Sequence, residues 1–106
     1  MISQHAKAVQ TILKRTAQLI RTDGWCQHTT TKPSGECCLS YALSRAGRTY
    51  GLQSRWDARN AVLETIRSTF RRHNTHIIEW NDTRGRNKAQ VLTVLRKAAT
   101  VVGKHV

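Results

Sequence analysis

The chain has 106 residues, 39% of them hydrophobic, and sets 18 Lys and Arg against six Asp and Glu for a formal net charge of +12. That length makes one domain, which hides roughly 65% of its unfolded surface on folding and so supports one modest core without staples. No apolar run approaches the ~20 residues of a membrane span, and the start "MISQHAKAVQ" lacks a charged segment followed by an apolar one, so the expected setting is the cytoplasm, without a secretory signal.

The first expected helix covers residues 4–22. Val9, Leu13, Ala17 and Ile20 recur at helical spacing, with Ala6, Ile12 and Leu19 beside them. Ser3 is the expected N-cap, and Asp23-Gly24 ends the helix. Residues 25–36 read as a loop with a turn at Lys32-Pro33-Ser34-Gly35, and the β-branched run Thr29-Thr30-Thr31 suits a short hairpin arm. A second helix is expected at 37–46, with Cys38, Leu39, Ala42, Leu43 and Ala46 as its apolar side and Gly47 as its stop.

Ser54, with Asp57 three residues on, is the expected start of the third helix. Trp56, Val62, Leu63, Ile66 and Phe70 are its expected core face, with Arg67, Arg71 and Arg72 outside. "THIIEW", residues 75–80, is short and apolar and suits a strand-like strap or a single helical turn. The last helix is the clearest. Asn87 and Gln90 have capping-box spacing, and Val91, Leu92, Leu95, Ala98, Ala99 and Val102 keep the helical period. The expected fold is therefore mostly α, a compact single domain of three to four helices. It would carry a small β-hairpin or extended strap near residues 25–38 or 75–80.

All three cysteines fall in the stretch "DGWCQHTTTKPSGECCLSYAL". Cys26, His28, Cys37 and Cys38 are the candidate zinc ligands, but Cys-x-His followed by a vicinal pair lacks the paired spacing of structural zinc sites, and no metal or other cofactor is expected. Cys38 near a helix start is the candidate nucleophile, with His28 or His76 as base and Asn81 or Asp82 as orienting group. Nothing local pairs these residues, so Cys38 is expected to be a small core residue. Trp25, Trp56 and Trp80 each begin or end an expected element and are expected as core anchors. Trp80, beside Arg84 and Arg86, is the candidate for a base-stacking platform. Asn81 and Asp82 precede a turn at Gly85 and are expected to lock it through local backbone bonds.

The segments "DGWCQ", "GECCLSYALSRAG" and "EWNDTRGRNKAQVLTVLRKAA" together resemble a family of small uncharacterised proteins of actinobacteria and their phages. The matching positions are Gly24, Trp25, Cys38, Leu39, Ala42, Leu43, Trp80, Asn81, Asp82, Gly85, Val91 and Leu95. The chain departs from the pattern at His28 and Tyr41, where Gly is usual, and in its Asn87–Gln90 cap, where Thr and Glu are usual. The resemblance implies a fold and an origin but no mechanism.

The charge excess favours polyanionic partners. The leading expectation is a non-enzymatic basic module that contacts nucleic-acid phosphates with little sequence specificity. Its candidate residues are Arg67, Arg71, Arg72, Arg84, Arg86, Lys88, Arg96 and Lys97. The alternative is a phage or mobile-element protein that binds and inhibits an acidic host protein or nucleoprotein complex, anti-CRISPR proteins being one type. A thiol enzyme built on Cys38 ranks third.

Overall fold

Ser3 opens the first helix, α1 (Gln4–Asp23), by accepting the Ala6 N–H on its hydroxyl at 3.0 Å. Val9, Ile12, Leu13, Ala17 and Ile20 form its buried stripe, and Thr16 joins them by spending its hydroxyl on the Ile12 carbonyl at 2.7 Å. Gly24 ends α1 at φ 94°, and a Cβ there would lie 2.7 Å from Cγ of Glu36. Left-handed backbone and a crowded neighbour together call for glycine.

The computed structural model describes residues 2–71 and 75–104. Its other helices are α2 (Leu39–Ala46), α3 (Leu52–Phe70), α4 (Ile77–Asn81) and α5 (Lys88–Lys104). The fold is mostly α around a single core, as expected. Cα atoms have a radius of gyration of 12.9 Å, about that of a compact domain of this length. α1 packs on α5, α2 and α3, and α5 also packs on α3, so α1 is the central post. Leu13, Ile20, Leu39, Val62, Ile66, Trp80, Val91 and Val94 meet in this core.

Several local expectations need correction. The second helix starts at Leu39 rather than at residue 37, because Cys38 is its N-cap and Cys37 still belongs to the loop. The third starts at Leu52 behind Gly51, without a side-chain cap, so Ser54 and Asp57 form no capping box. Among the described residues the expected hairpin amounts to two isolated bridges, Trp25 with Cys37 and Thr31 with Cys37. The 75–80 segment is the helical turn α4. The last helix keeps its reciprocal cap: Gln90 N–H donates to Asn87 Oδ1 at 2.9 Å, and Asn87 N–H to Gln90 Oε1 at 3.1 Å.

Trp80 is a core anchor, 1% exposed, in edge-to-face contact with Phe70 at 5.4 Å between centroids. Trp25 is half-buried. Trp56 is 56% exposed and is not a core anchor. At 3.6 residues per turn it lies about 120° around α3 from Val62, the centre of the buried stripe formed with Ala58, Thr65 and Ile66. No helix of the described residues is long and apolar enough to cross a membrane.

Candidate functional site

Three polar regions stand out, the cysteine loop, the charged surface and the groove between α2 and α3, and the first and the last touch neighbouring residues of α2. The first is the cysteine loop, residues 24–38. Asn81, fully buried at the end of α4, holds it in place. Its Oδ1 accepts from Trp25 Nε1 at 2.6 Å and from the Leu39 N–H at 3.0 Å. Its Nδ2 donates to the Cys26 carbonyl at 3.1 Å and to Asp82 Oδ1 at 3.0 Å. Both lone pairs and both hydrogens of the amide are used. Gln27 adds two bonds, from Nε2 to the carbonyls of Asn81 and Thr83.

Asp82 takes the His28 N–H at 2.9 Å. Partial burial would push its carboxyl up, but this bond and the one from Asn81 outweigh burial and hold it below the usual carboxylate value. The cost of the arrangement is visible at His28, whose backbone is left-handed at φ 67°. Asn81 and Asp82 thus tie segments more than 40 residues apart in sequence, and their side chains do not brace the backbone of the Gly85 turn as expected.

The thiols of this loop are free and turned inward. Cys26 Sγ donates to the Thr29 carbonyl at 3.5 Å, and Cys38 Sγ accepts the Tyr41 N–H at 3.4 Å as the cap of α2. Burial pushes the Cys26 and Cys37 thiols up, away from thiolate. Among the described residues no three His, Cys, Asp or Glu side chains converge as metal ligands. His28 is exposed while Cys38 is buried, and the two share no hydrogen bond. The thiol thus serves the helix cap, with no base bonded to it.

The second region is the charged surface. Arg67 and Arg71, at the end of α3, are exposed, as are Arg84 in the α4–α5 turn and Lys88 at the start of α5. Arg72 lies outside the described residues. Arg96 and Lys97 line a groove of about 340 Å³ between α3 and α5, facing the hydroxyl-bearing Thr65, Ser68, Thr69 and Thr100. Arg86 is different. Its guanidinium stacks on Trp80 at 4.1 Å and on Phe70 at 4.7 Å, and its Nε donates to the Trp80 carbonyl at 3.0 Å. It is engaged inside the fold, and Trp80 is too deep to serve as a stacking platform. Among the described residues Arg45 pairs with Asp23 at 3.2 Å, while Arg67, Arg71, Arg84, Lys88, Arg96 and Lys97 form no pair with a carboxylate.

Sequence reasoning passed over the α2–α3 groove. It holds about 330 Å³ and is lined by Ser40, Leu43, Ser44, Leu52, Arg55, Trp56 and Arg59. Leu52 is 66% exposed at its edge. Arg59 is half-buried and bonds Ser40 Oγ at 2.9 Å, but no carboxylate of the described residues neutralises it. Burial, and then the neighbouring charge of Arg55, draw its guanidinium below the ordinary arginine value. It stays protonated all the same. The signal was present as Arg-Trp-x-x-Arg, but Trp56 was assigned to the core face by spacing alone.

A family model spans residues 4–101, from the first turn of α1 to near the end of α5. The chain belongs to DUF6197, a family of unknown function. No curated protein and no solved structure matches it. The match covers the Asn81 tie, the charged surface and the α2–α3 groove of this DUF6197 chain.

A further array stands on the other side of α3. His5 Nε2 meets Asp57 Oδ2 at 2.6 Å, and Ser54 Oγ lies 3.4 Å from His5 Nδ1. The residue types match a hydrolase triad, but His5 is exposed and Asp57 also accepts from Gln53 at 2.9 Å. These bonds join the start of α1 to α3 in this DUF6197 chain.

Proposed function

We propose that this DUF6197 chain is a non-enzymatic basic module that contacts the phosphate backbone of nucleic acid in the cytoplasm, with little sequence specificity. One observation carries the reading: the +12 charge is little compensated where it is exposed, since Arg67, Arg71, Arg84, Lys88, Arg96 and Lys97 form no pair with a carboxylate among the described residues. Cations held apart from acidic partners keep their attraction for polyanions, and that attraction weakens with salt. In the groove between α3 and α5, Arg96 and Lys97 offer cationic donors that phosphate oxygens accept.

The test is salt-dependent binding of a random duplex, with Arg84, Lys88, Arg96 and Lys97 changed to Gln. Arg86 is left intact because its stacking on Trp80 and Phe70 supports the fold. Each lost phosphate contact removes about 0.9 from the log–log salt slope. An unchanged slope in the fourfold variant refutes the role of these residues. The rival, an inhibitor of an acidic host complex from an actinobacterial or phage setting, draws on the same cations and on the exposed Leu52 and Trp56. It predicts capture of a protein partner that survives nuclease.

A further inference from the structure

We infer that the α2–α3 groove is a binding site for single-stranded nucleic acid, in which a base stacks on Trp56 and the adjoining phosphate sits against Arg55 and Arg59. This rests on the phosphate-binding reading above and names the form of nucleic acid it prefers.

Three observations converge on the groove. The first is the indole. A tryptophan 56% exposed, with Leu52 at 66% one turn before it, leaves an aromatic face bare on an otherwise polar helix start. Such a face is what successive bases stack on in sequence-tolerant single-strand binding, because every base offers a π surface. In a duplex the base faces are already stacked on each other, so a lone exposed indole gains little from it.

The second is charge. Arg55 and Arg59 stand four residues apart on α3, a spacing that brings their side chains together. Like charges so placed repel, and no carboxylate of the described residues separates them. Arg59 has given up part of its water and received only the Ser40 hydroxyl in return. An anion between the two guanidiniums relieves both deficits, and a phosphate accepts several guanidinium hydrogens at once. The hydroxyls of Ser40 and Ser44 line the same groove and add neutral donors.

The third is size and footing. About 330 Å³ falls at the lower end of the range of small-ligand sites, enough for one nucleotide unit rather than a folded partner. The cation, the indole and both hydroxyls come from two helices, so the groove is preformed.

An acidic protein would also satisfy the two arginines, but it offers a carboxylate rather than a base beside its charge. The experiment keeps these apart. The full chain is titrated into fluorescein-labelled single-stranded dT and dA oligonucleotides and into a duplex of the same length, at several salt concentrations. The wild type should prefer the single strands. Trp56→Ala should weaken single-strand binding by about 5- to 100-fold, the loss of one stacked base, and so erase the preference. Trp56→Phe should restore most of it. Arg55→Gln with Arg59→Gln should lower the single-strand salt slope by about 0.7 per lost contact. Thermal melting of each variant verifies folding, since Trp56 supports little of the core. If Trp56→Ala leaves the single-strand preference intact, or the wild type shows none, the stacking site falls while backbone binding stands. If neither polymer binds at low salt, both fall, and nuclease-resistant capture of an acidic protein that depends on Trp56 would replace them.

Discussion

Leu39 and Ser40 are neighbours in sequence and serve two regions of opposite character. The Leu39 N–H is buried and bonded to Asn81, in a cluster where the amide of Asn81 has no bond left to give. The Ser40 hydroxyl meets Arg59, a half-buried cation without a carboxylate. The cysteine loop holds the residue types associated with chemistry, yet its polar groups are satisfied by one another. The α2–α3 groove is lined by no cysteine, histidine or carboxylate, yet its charge is unanswered. Satisfied polar groups make architecture, and unsatisfied ones mark where a ligand lowers the free energy.

The sharpest way to break this comparison is Asn81→Leu. The substitution leaves the Trp25 indole N–H, the Leu39 N–H and the Cys26 carbonyl without their buried partner. Each orphan costs about 1–3 kcal/mol, so at least about 3 kcal/mol should be lost from a domain that holds roughly 5–15. Urea unfolding monitored by circular dichroism measures it. Trp56→Ala in the groove should move the same midpoint by no more than about 0.5 kcal/mol, as exposed positions do. Equal losses at the two sites would mean that the groove is also architecture.

Acid titration comes next. Asp82 is held below the usual carboxylate value, so its contribution is complete above the unfolded value of about 3.9 and is lost as pH falls through its lower folded value. The melting temperature should therefore drop on going from pH 5 to pH 2.5, and the drop should be smaller in Asp82→Asn. A variant with the same acid sensitivity as wild type would show that the His28–Asp82 bond contributes nothing.

The only favourable effect belongs to His28. A left-handed non-glycine residue costs about 1–2 kcal/mol, while glycine adds about 0.5–1 kcal/mol of unfolded-state entropy. His28→Gly should raise stability by up to about 1 kcal/mol and the midpoint with it. A lowered midpoint would mean that the imidazole contributes to the loop.

Elements set by local spacing were legible from the residues alone. Ser3 capping α1, the Asn87–Gln90 exchange and the α5 stripe each depend on residues three or four apart. The Asn81 tie was not legible, because its partners lie 42 to 56 residues away and an Asn before a turn reads as a local brace. Trp56 was misread for a related reason. Periodicity tells which residues share a side of a helix, but burial depends on which neighbour covers that side. Leu63 and Phe70, on the same side as Trp56, are half-buried, whereas α2 leaves the first turns of α3 bare.

The inward cysteines also give this domain a clock. Cys26, Cys37 and Cys38 are 3%, 1% and 5% exposed, all within one loop pinned to the end of α4 by Asn81, Gln27 and Asp82. A thiol-modifying reagent reaches them only after that loop lifts away from α4. With reagent in excess, the modification rate reports how often the loop opens, and with little reagent it reports the free energy of opening. Comparing the three sites would separate partial release of the loop from unfolding of the whole chain, with no label added to the protein.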